Sequence, residues 1–188
     1  MSMKALTLTQ PWASLVAVGA KRIETRSWRT PYRGPLAIHA AKTFPKDARQ
    51  YLDAFAFFSV FRPDHAAMLQ RNGVRLVPCA CSRDVAGSLP LGAVIATCRL
   101  ISCIPTRELQ QNRVIEVDTV AHAEDFYLDD RERSFGNYSP GRWAWLLADI
   151  KACQPIPAKG ALSLWDWESL TQRALPPSAA KQEKEGAV

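Results

Sequence analysis

The sequence predicts an α+β fold in which a mixed, open β-barrel is surrounded by peripheral helices. Several short segments alternate between apolar and polar residues, which is the pattern of half-buried strands. Between residues 45 and 71 the apolar residues recur at helical spacing instead, and Tyr51, Leu52 and Phe58 are predicted to pack inward. Strands and helices do not alternate regularly along the chain, which favours a barrel over a doubly wound parallel sheet.

The predicted elements begin close to the N-terminus. A first strand covers residues 4–9, and a short helix follows at Pro11, because proline fits the first helical turn but lacks the N–H group of a strand. Gly19 is predicted to end this helix, since glycine adopts a left-handed backbone easily. The remaining predicted strands cover residues 21–28, 36–40, 92–104 and 141–147, and a last short element ends at residues 164–167. Residues 73–91, which contain proline and glycine, are predicted to form an irregular connector.

The chain length predicts a single domain. With 188 residues, of which 47% are hydrophobic, the chain suffices for one well-buried core and is short for two domains. We place this domain at residues 1–172, with a helical insertion at about residues 45–90. Residues 173–188 are rich in charged residues and contain a pair of prolines, so we expect a disordered tail there.

Positive charge is concentrated in the first 50 residues. This segment holds nine Lys or Arg residues against two acidic ones, whereas the formal net charge of the whole chain is +6. Cations release counterions from phosphates and aromatic rings stack on bases, so basic residues interleaved with Trp12, Trp28 and Tyr32 predict binding of a polyanion. A solvated basic surface without a ligand is the alternative. Acidic residues gather at 116–132, which we expect to be an exposed loop or a short helix.

The sequence lacks the motifs of several common enzyme classes. It contains no Gly-x-x-x-x-Gly-Lys-Ser/Thr loop, no Gly-x-Gly-x-x-Gly turn and no His-Glu-x-x-His motif. The five cysteines are irregularly spaced, and Cys79 and Cys81 lack the companion ligands that a zinc site needs. We therefore predict reduced thiols, no metal and no cofactor. A long apolar run and a signal segment are both missing from the sequence, so we expect a cytoplasmic protein without a membrane partner.

Two motifs near the N-terminus resemble the signature of the ASCH family. The first is Leu8-Thr9-Gln10-Pro11-Trp12, and the second is Gly19-Ala20-Lys21-Arg22-Ile23-Glu24-Thr25-Arg26, which is similar to the pattern Gly-x-Lys-x-x-Glu-x-Arg. The resemblance extends through residues 33–40, 136–143 and 157–160 and covers about residues 1–170. It implies a PUA-like barrel. By analogy with PUA and YTH domains, it also implies a basic cleft for single-stranded RNA or for a modified nucleobase or nucleoside.

Some ASCH proteins are amidohydrolases that act on N4-acetylcytidine, and the resemblance to them implies Lys21 and Glu132 as catalytic residues. A threonine is the nucleophile in those enzymes, and this sequence has Glu24 at that position. Glu24 is therefore a candidate general base for a water molecule, with Lys21 or Arg26 stabilising an oxyanion. Strand alternation is expected to turn Thr25 to the opposite face, so Thr25 is not a replacement nucleophile. A buried ion cluster that closes the barrel is the alternative interpretation of Lys21 and Glu24.

The candidate residues for binding RNA or a base extend beyond this motif. They are Trp12, Arg26, Trp28, Arg29, Arg33, His39, Trp143 and Lys159. Trp12 and Trp143 either stack on a base or pack the helix onto the barrel, and His39 is either a cleft residue or a core histidine. Three functions remain open at this point: binding of RNA or a modified nucleoside, hydrolysis of an N4-acylated cytidine, and a role as a protein-interaction adaptor, which the resemblance also implies.

Overall fold

The computed structural model describes residues 2–61, 82–109, 114–115 and 126–168. The strands in these ranges are β1 (Met3–Leu8), β2 (Ile23–Arg26), β3 (Gly34–Ala40), β4 (Ala93–Pro105), β5 (Val114–Ile115), β6 (Phe126–Tyr127), β7 (Trp143–Pro157) and β8 (Leu164–Trp167). The α-helices are α1 (Trp12–Ala17), α2 (Lys46–Arg49), α3 (Phe55–Val60), α4 (Ser82–Ser88) and α5 (Asp130–Ser134). Short 3₁₀ segments cover Gln50–Asp53 and Thr106–Glu108.

Six of the strands form one mixed sheet in the order β2-β7-β4-β3-β1-β8. β1 and β3 run parallel, whereas the other neighbouring pairs in this sheet are antiparallel. β5 and β6 form a separate antiparallel ladder. The edge strands β2 and β8 are not paired with each other, so the sheet is open. The predicted α+β class with a mixed sheet is confirmed.

The sheet is covered on both faces, so residues of both alternating sets are buried. On one face Leu6 and Ile38 pack with Val16 of α1. On the other face Val94 lies with Trp167 of β8 in a second apolar cluster. Alternation predicts a single buried face for a strand with one solvated side. β4 departs from that pattern because its first four residues are all buried.

The helices pack together outside the sheet. A separate apolar cluster joins Leu15 of α1 to Leu52, Phe57 and Phe135. The predicted helical stretch at 45–71 is present as α2, a 3₁₀ segment and α3, and its remainder from residue 62 lies outside the described residues. The predicted connector at 73–91 is wrong at its end, because α4 occupies Ser82–Ser88. Burial of Val85 and Leu89 in the helical cluster stabilises this short helix against its weak local pattern.

The seventh strand is longer than predicted. The sequence pattern predicted residues 141–147, whereas β7 continues to Pro157. β2 pairs only with the first four residues of β7, so the later part of β7 has β4 on one side only. Proline is tolerated at such an edge, where its missing N–H group does not interrupt a ladder. The second predicted strand is instead shorter than expected, because β2 covers only Ile23–Arg26.

Three cysteines lie within the described residues. Cys98, Cys103 and Cys153 are all free, and burial raises the pKa of the Cys98 thiol to about 12. The predicted cysteine pair at 79 and 81 and the predicted tail at 173–188 lie outside the described residues. Among the described helices, none has the length and apolar character needed to cross a membrane.

Candidate functional site

Lys21 enters the protein interior directly after the first helix. α1 ends at Ala17, and Gly19 follows with a φ of 73°, in the left-handed region that favours glycine. The N–H group of Lys21 then donates to Leu15 O at 3.1 Å, which continues the reversal of the chain. This turn directs the backbone into β2 and leaves Lys21 with 0% exposure.

Three charged side chains meet beside β2. Lys21 Nζ lies 3.9 Å from Glu24 Oε2 and 3.6 Å from Glu132 Oε1, and both carboxylates are largely buried. The three residues proposed from the sequence as catalytic are therefore brought together. Buried ion pairs of this kind are stable only where further hydrogen bonds offset the loss of water.

The short helix α5 places Glu132. Asp129 caps the helix, because its Oδ1 accepts from the Glu132 N–H group at 2.6 Å. Residues 116–132 were expected to be an exposed loop or a short helix. A short helix is present at the end of this range, but Glu132 turns into the interior and is only 6% exposed.

Hydrogen bonds from the start of β2 hold the Glu132 carboxylate. It accepts from the N–H groups of Arg22 at 2.9 Å and Ile23 at 3.1 Å, and Tyr138 Oη lies 3.1 Å from Oε1. Burial raises the pKa of Glu132, while the Lys21 ammonium group and these donors act in the opposite direction. Burial and the adjacent Glu132 also raise the pKa of Tyr138, which keeps its hydroxyl group protonated as a donor.

The same cluster covers the open edge of β2. β7 pairs with one side of this strand, and side chains satisfy the backbone groups that point the other way. Ile23 O accepts from Lys21 Nζ, Ile23 N–H donates to Glu132, and Thr25 O accepts from Arg142 Nη2 at 3.1 Å. Because unpaired buried backbone groups are costly, Lys21 and Glu132 have a structural role at this edge.

Arg26 connects β2 to β1 across the opening of the sheet. Its Nε lies 3.1 Å from Glu24 Oε1, and its Nη2 donates to Thr7 O at 2.9 Å. The Arg26 side chain is 25% exposed. Its guanidinium group is therefore engaged mainly by the protein itself, and only part of it faces solvent.

A cavity of about 260 Å³ opens beside Glu24. We call it the Glu24 cavity, and it is lined by Trp12, Glu24, Thr25, Tyr51, Ser134, Phe135, Gly136, Asn137 and Arg142. The rings of Trp12 and Tyr51 meet edge-on with centroids 5.1 Å apart. Asn137 Oδ1 accepts from Ser139 N–H, which leaves its NH₂ group as a donor. Arg142 Nε is buried and has no hydrogen-bond partner among the described residues.

Thr25 also lines this cavity, next to Glu24. Glu24 and Thr25 are consecutive residues of β2, and both line the wall. The cavity lies against the open edge of an edge strand rather than over one face of the sheet, so neighbouring residues of both sets contribute to it. The Thr25 carbonyl group is the part of this residue that bonds to Arg142, and the opposite-face direction of its side chain stays a prediction.

Two of the remaining candidates, Trp28 and Arg29, contact side chains near the start of β7. Trp28 does not share a strand face with Glu24, because β2 ends at Arg26. The Trp28 ring packs edge-on against buried Trp145, with centroids 4.7 Å apart. Arg29 is exposed, and its guanidinium carbon lies 5.4 Å from the centre of the Trp143 ring. Arg33 is also exposed and donates to two nearby backbone carbonyl groups.

His39 and Lys159 lie in a different depression, of about 820 Å³. We call it the Leu162 groove, and it is lined by Thr7, His39, Ala41, Lys42, Leu91, Gly92, Pro157, Ala158, Lys159, Gly160, Ala161 and Leu162. His39 is 1% exposed, and its Nε2 lies 3.0 Å from Ala158 O, where the neutral ring donates. Burial lowers the pKa of His39, which favours this neutral form. The sequence-predicted residues are therefore divided between two sites.

Sequence reasoning missed several residues of the Glu24 cavity and its surroundings. Tyr51 was expected to pack inward from its helical spacing, but it is 42% exposed at the cavity. Asn137, Tyr138 and Arg142 lie in the segment 136–143, whose resemblance to a family motif was the available signal. Their individual roles depend on contacts with β2 that only the folded chain makes.

The fold and the site define a small α+β domain with an open mixed sheet, a buried Lys–Glu cluster and an adjacent cavity. Residues 6–157 match the model of the ASCH domain, and the chain therefore belongs to the ASCH domain family. It is 32% identical over 108 residues to Activating signal cointegrator 1 of Mus musculus, which covers 56% of this chain and 15% of that protein. It is 55% identical over 40 residues to Activating signal cointegrator 1 of Homo sapiens, which covers 21% of this chain and 7% of that protein. The chain thus matches only a small part of the length of these relatives.

Proposed function

We propose that this chain binds single-stranded RNA and holds one nucleobase, ordinary or modified, in the Glu24 cavity. The observation that supports this most directly is the combination of two aromatic rings, Trp12 and Tyr51, with polar groups in one small cavity. Proteins that bind single strands stack bases on aromatic rings and bond to the base edges. A volume of about 260 Å³ is at the small end for ligand sites, which suits a single base or nucleoside.

The polar groups of the cavity match the mixed character of a base edge. The Glu24 carboxylate is an acceptor, whereas Arg142 and the NH₂ group of Asn137 are donors. Base edges present donors and acceptors side by side, so a cavity wall with only donors or only acceptors leaves part of the base edge without hydrogen bonds. The proposed pose therefore directs an amino group of the base towards Glu24 and a ring nitrogen or carbonyl group towards Arg142.

The charge distribution supports a path for the phosphate backbone. Arg29 and Arg33 are exposed, and Arg29 lies beside Trp143, the residue that follows Arg142 of the cavity wall. We further propose that the open sheet is a PUA-like barrel. The hydrogen bond from Arg26 to Thr7 supports this, because it draws β2 towards β1 across the opening. His39 and Lys159 line the Leu162 groove and are not part of this proposed RNA site.

Replacing Tyr51 by alanine is expected to weaken binding of a short single-stranded RNA by roughly 1–3 kcal/mol, because the variant has one stacking ring fewer. Fluorescence anisotropy with a labelled oligonucleotide measures this change. Tyr51→Phe keeps the ring and is expected to bind like the wild type. Leu91→Ala is the matched control, since Leu91 is 43% exposed, close to the 42% of Tyr51, and lies outside the cavity. Equal affinities for Tyr51→Ala and the wild type would remove the cavity from the RNA site.

Replacing Arg29 and Arg33 by alanine is expected to flatten the salt dependence of RNA binding. For single strands, the slope of log K against log salt falls by about 0.7 for each phosphate that the protein no longer neutralises. Filter binding at several potassium chloride concentrations measures the slope. Lys151→Ala removes another exposed cation, from β7, and is expected to leave the slope unchanged. A slope that does not change in the double variant places the phosphate path elsewhere.

Hydrolysis of an N4-acylated cytidine is a second candidate function. One observation favours it: Glu24 lines the cavity, and its Oε2 atom lies 3.9 Å from Lys21 Nζ, so a carboxylate and a cation are paired beside the proposed base site. In this scheme Glu24 takes a proton from water as the water attacks the acyl carbon. It returns that proton to the N4 nitrogen as the acyl C–N bond breaks, so that the carboxylic acid and cytidine are released. The Lys21 ammonium group lies between the carboxylates of Glu24 and Glu132.

A further inference from the structure

The Leu162 groove is built on hydrogen-bonded strand ends of the sheet. It lies where the end of β3, the start of β4 and the end of β7 meet. Backbone hydrogen bonds join these ends: Gly92 N–H donates to Ala40 O at 3.0 Å, and Ala158 N–H donates to Gly92 O at 3.0 Å. A Cβ atom at Gly160 would lie 2.4 Å from His39 Cε1, so the wall at residues 158–162 packs closely on the buried ring.

The rim of this groove exposes unusually large apolar side chains. Leu162 is 93% exposed and Leu91 is 43% exposed. Among the described residues, the large apolar side chains with high exposure are these two and Tyr51, and the two leucines line the same depression. Isolated exposed leucines are common, but leucines gathered at one concave surface are typical of a binding site for an apolar partner.

The charged residues of the groove have one sign. Lys42 and Lys159 line it, and none of the described residues that line it is Asp or Glu. Complementary charge steers a partner and fixes its orientation. Thr7 Oγ1 in the floor is already engaged, since it donates to Ala161 O at 3.0 Å and accepts from Trp165 Nε1 at 3.1 Å. The Nδ1 atom of His39 is buried and has no hydrogen-bond partner among the described residues.

A nucleic acid fits this surface less well than a peptide does. Single-strand sites use aromatic platforms, and apart from the edge-packed His39 ring the described lining contains no aromatic side chain. The leucines of the groove instead match the aliphatic side chains of an amphipathic peptide, and acidic residues of such a peptide pair with the lysines at the rim. A cavity of about 820 Å³ accommodates several such side chains.

We propose that the Leu162 groove docks a short, acidic peptide segment of a partner protein, with aliphatic side chains between Leu91 and Leu162 and carboxylates on Lys42 and Lys159. This site is separate from the Glu24 cavity, and the inference does not rest on RNA binding. A segment of this kind is recognised by alternating apolar and acidic residues rather than by one fixed sequence.

Selection of a phage-displayed library of random 12-residue peptides on the intact protein tests this proposal. We expect the enriched sequences to combine Leu, Ile or Met with Asp or Glu. Binding of the best synthetic peptide, measured by fluorescence anisotropy, is expected to fall on the order of ten- to hundredfold in Leu162→Ser, because the peptide no longer buries a leucine side chain. A similar reduction is expected in Lys42→Glu combined with Lys159→Glu, through repulsion.

Matched variants separate this site from the rest of the surface. Lys151→Glu changes an exposed lysine outside the groove and is expected to retain peptide affinity. Leu162 is almost fully exposed, so Leu162→Ser is expected to unfold at the same urea concentration as the wild type. Enrichment of basic sequences, no enrichment, or an enriched peptide that binds all variants equally would overturn the proposal. Weaker RNA binding in Leu162→Ser without any peptide binding would assign the groove to the RNA path instead.

Discussion

Replacing Lys21 by methionine is expected to lower the free energy of unfolding by about 3–5 kcal/mol. The Lys21 ammonium group contacts Glu24 and Glu132 and donates to Ile23 O, and its side chain has no exposure. Removing one partner of a buried ion pair leaves the other charge without compensation, and this costs far more than the pair contributes as a whole. Urea denaturation followed by circular dichroism measures the change.

Lys4 provides the matched control for this prediction. Lys4 Nζ lies 2.9 Å from Asp166 Oδ1, but the two side chains are 37% and 61% exposed. Solvent screens such a pair, so Lys4→Met is expected to cost about 0–1 kcal/mol. Comparable losses of stability for the two lysines would show that burial of Lys21 does not govern its contribution.

A double variant identifies the cause of the destabilisation. Combining Lys21→Met with Glu132→Gln removes both a cation and one of its carboxylates. The double variant is expected to lose about 0.5–3 kcal/mol less free energy of unfolding than the sum of the losses in the two single variants. Each single variant leaves the charge of the other residue unpaired, whereas the double variant removes both charges. Strict additivity would indicate that Lys21 and Glu132 act independently at the edge of β2. In either case Lys21 is a poor position for testing catalysis, since its removal alters the stability of the domain.

The fold class was accessible from the sequence because alternation and turn residues report where strands begin. β1, β3 and β4 were all predicted within about two residues of their observed bounds. The extent of β7 was not predictable in this way. Pro155 and Pro157 are acceptable there only because β2 ends early and leaves that part of β7 at an edge, which is a property of the assembled sheet.

The candidate site shows the same division between local and long-range information. Lys21, Glu24 and Arg26 belong to one short motif, so the sequence indicated them together. Glu132 was indicated only through family resemblance, and its burial depends on hydrogen bonds to Arg22 and Ile23, which lie far away in the chain. The local charge pattern predicted that the acidic stretch is exposed. That pattern does not show that Glu132 accepts hydrogen bonds from backbone N–H groups at the start of β2.

The separation of His39 and Lys159 from the Glu24 cavity follows from the sheet order. His39 on β3 lies near the end of β7, whereas β2 pairs with the start of β7. The basic residues of the first 50 positions are nevertheless close together in the sequence. The family resemblance implied one basic cleft, whereas His39 and Lys159 lie in a depression separate from the Glu24 cavity. Arg26 connects the two depressions. It contacts Glu24, which lines the Glu24 cavity, and the backbone of Thr7, which lines the Leu162 groove.

If the Glu24 cavity hydrolyses an N4-acylated cytidine, Glu24→Gln is expected to lower the turnover number by about 10²–10⁴-fold. The amide cannot take a proton from the attacking water, and this range is typical for the removal of one general acid–base group. Deacetylation of N4-acetylcytidine followed by chromatography measures the rate. Glu108→Gln changes an exposed glutamate outside the cavity and is expected to retain full turnover.

Placing threonine at position 24 distinguishes the hydrolase candidate from the binding proposal. Glu24→Thr supplies the hydroxyl nucleophile found at this position in the amidohydrolases that the sequence resembles, beside Lys21 Nζ. An inactive wild type with an active Glu24→Thr variant would show that this chain lacks only the nucleophile, and its native role would then be binding. If both proteins are inactive while the wild type binds RNA and loses affinity on Tyr51→Ala, hydrolysis of this substrate is excluded and the cavity serves recognition alone.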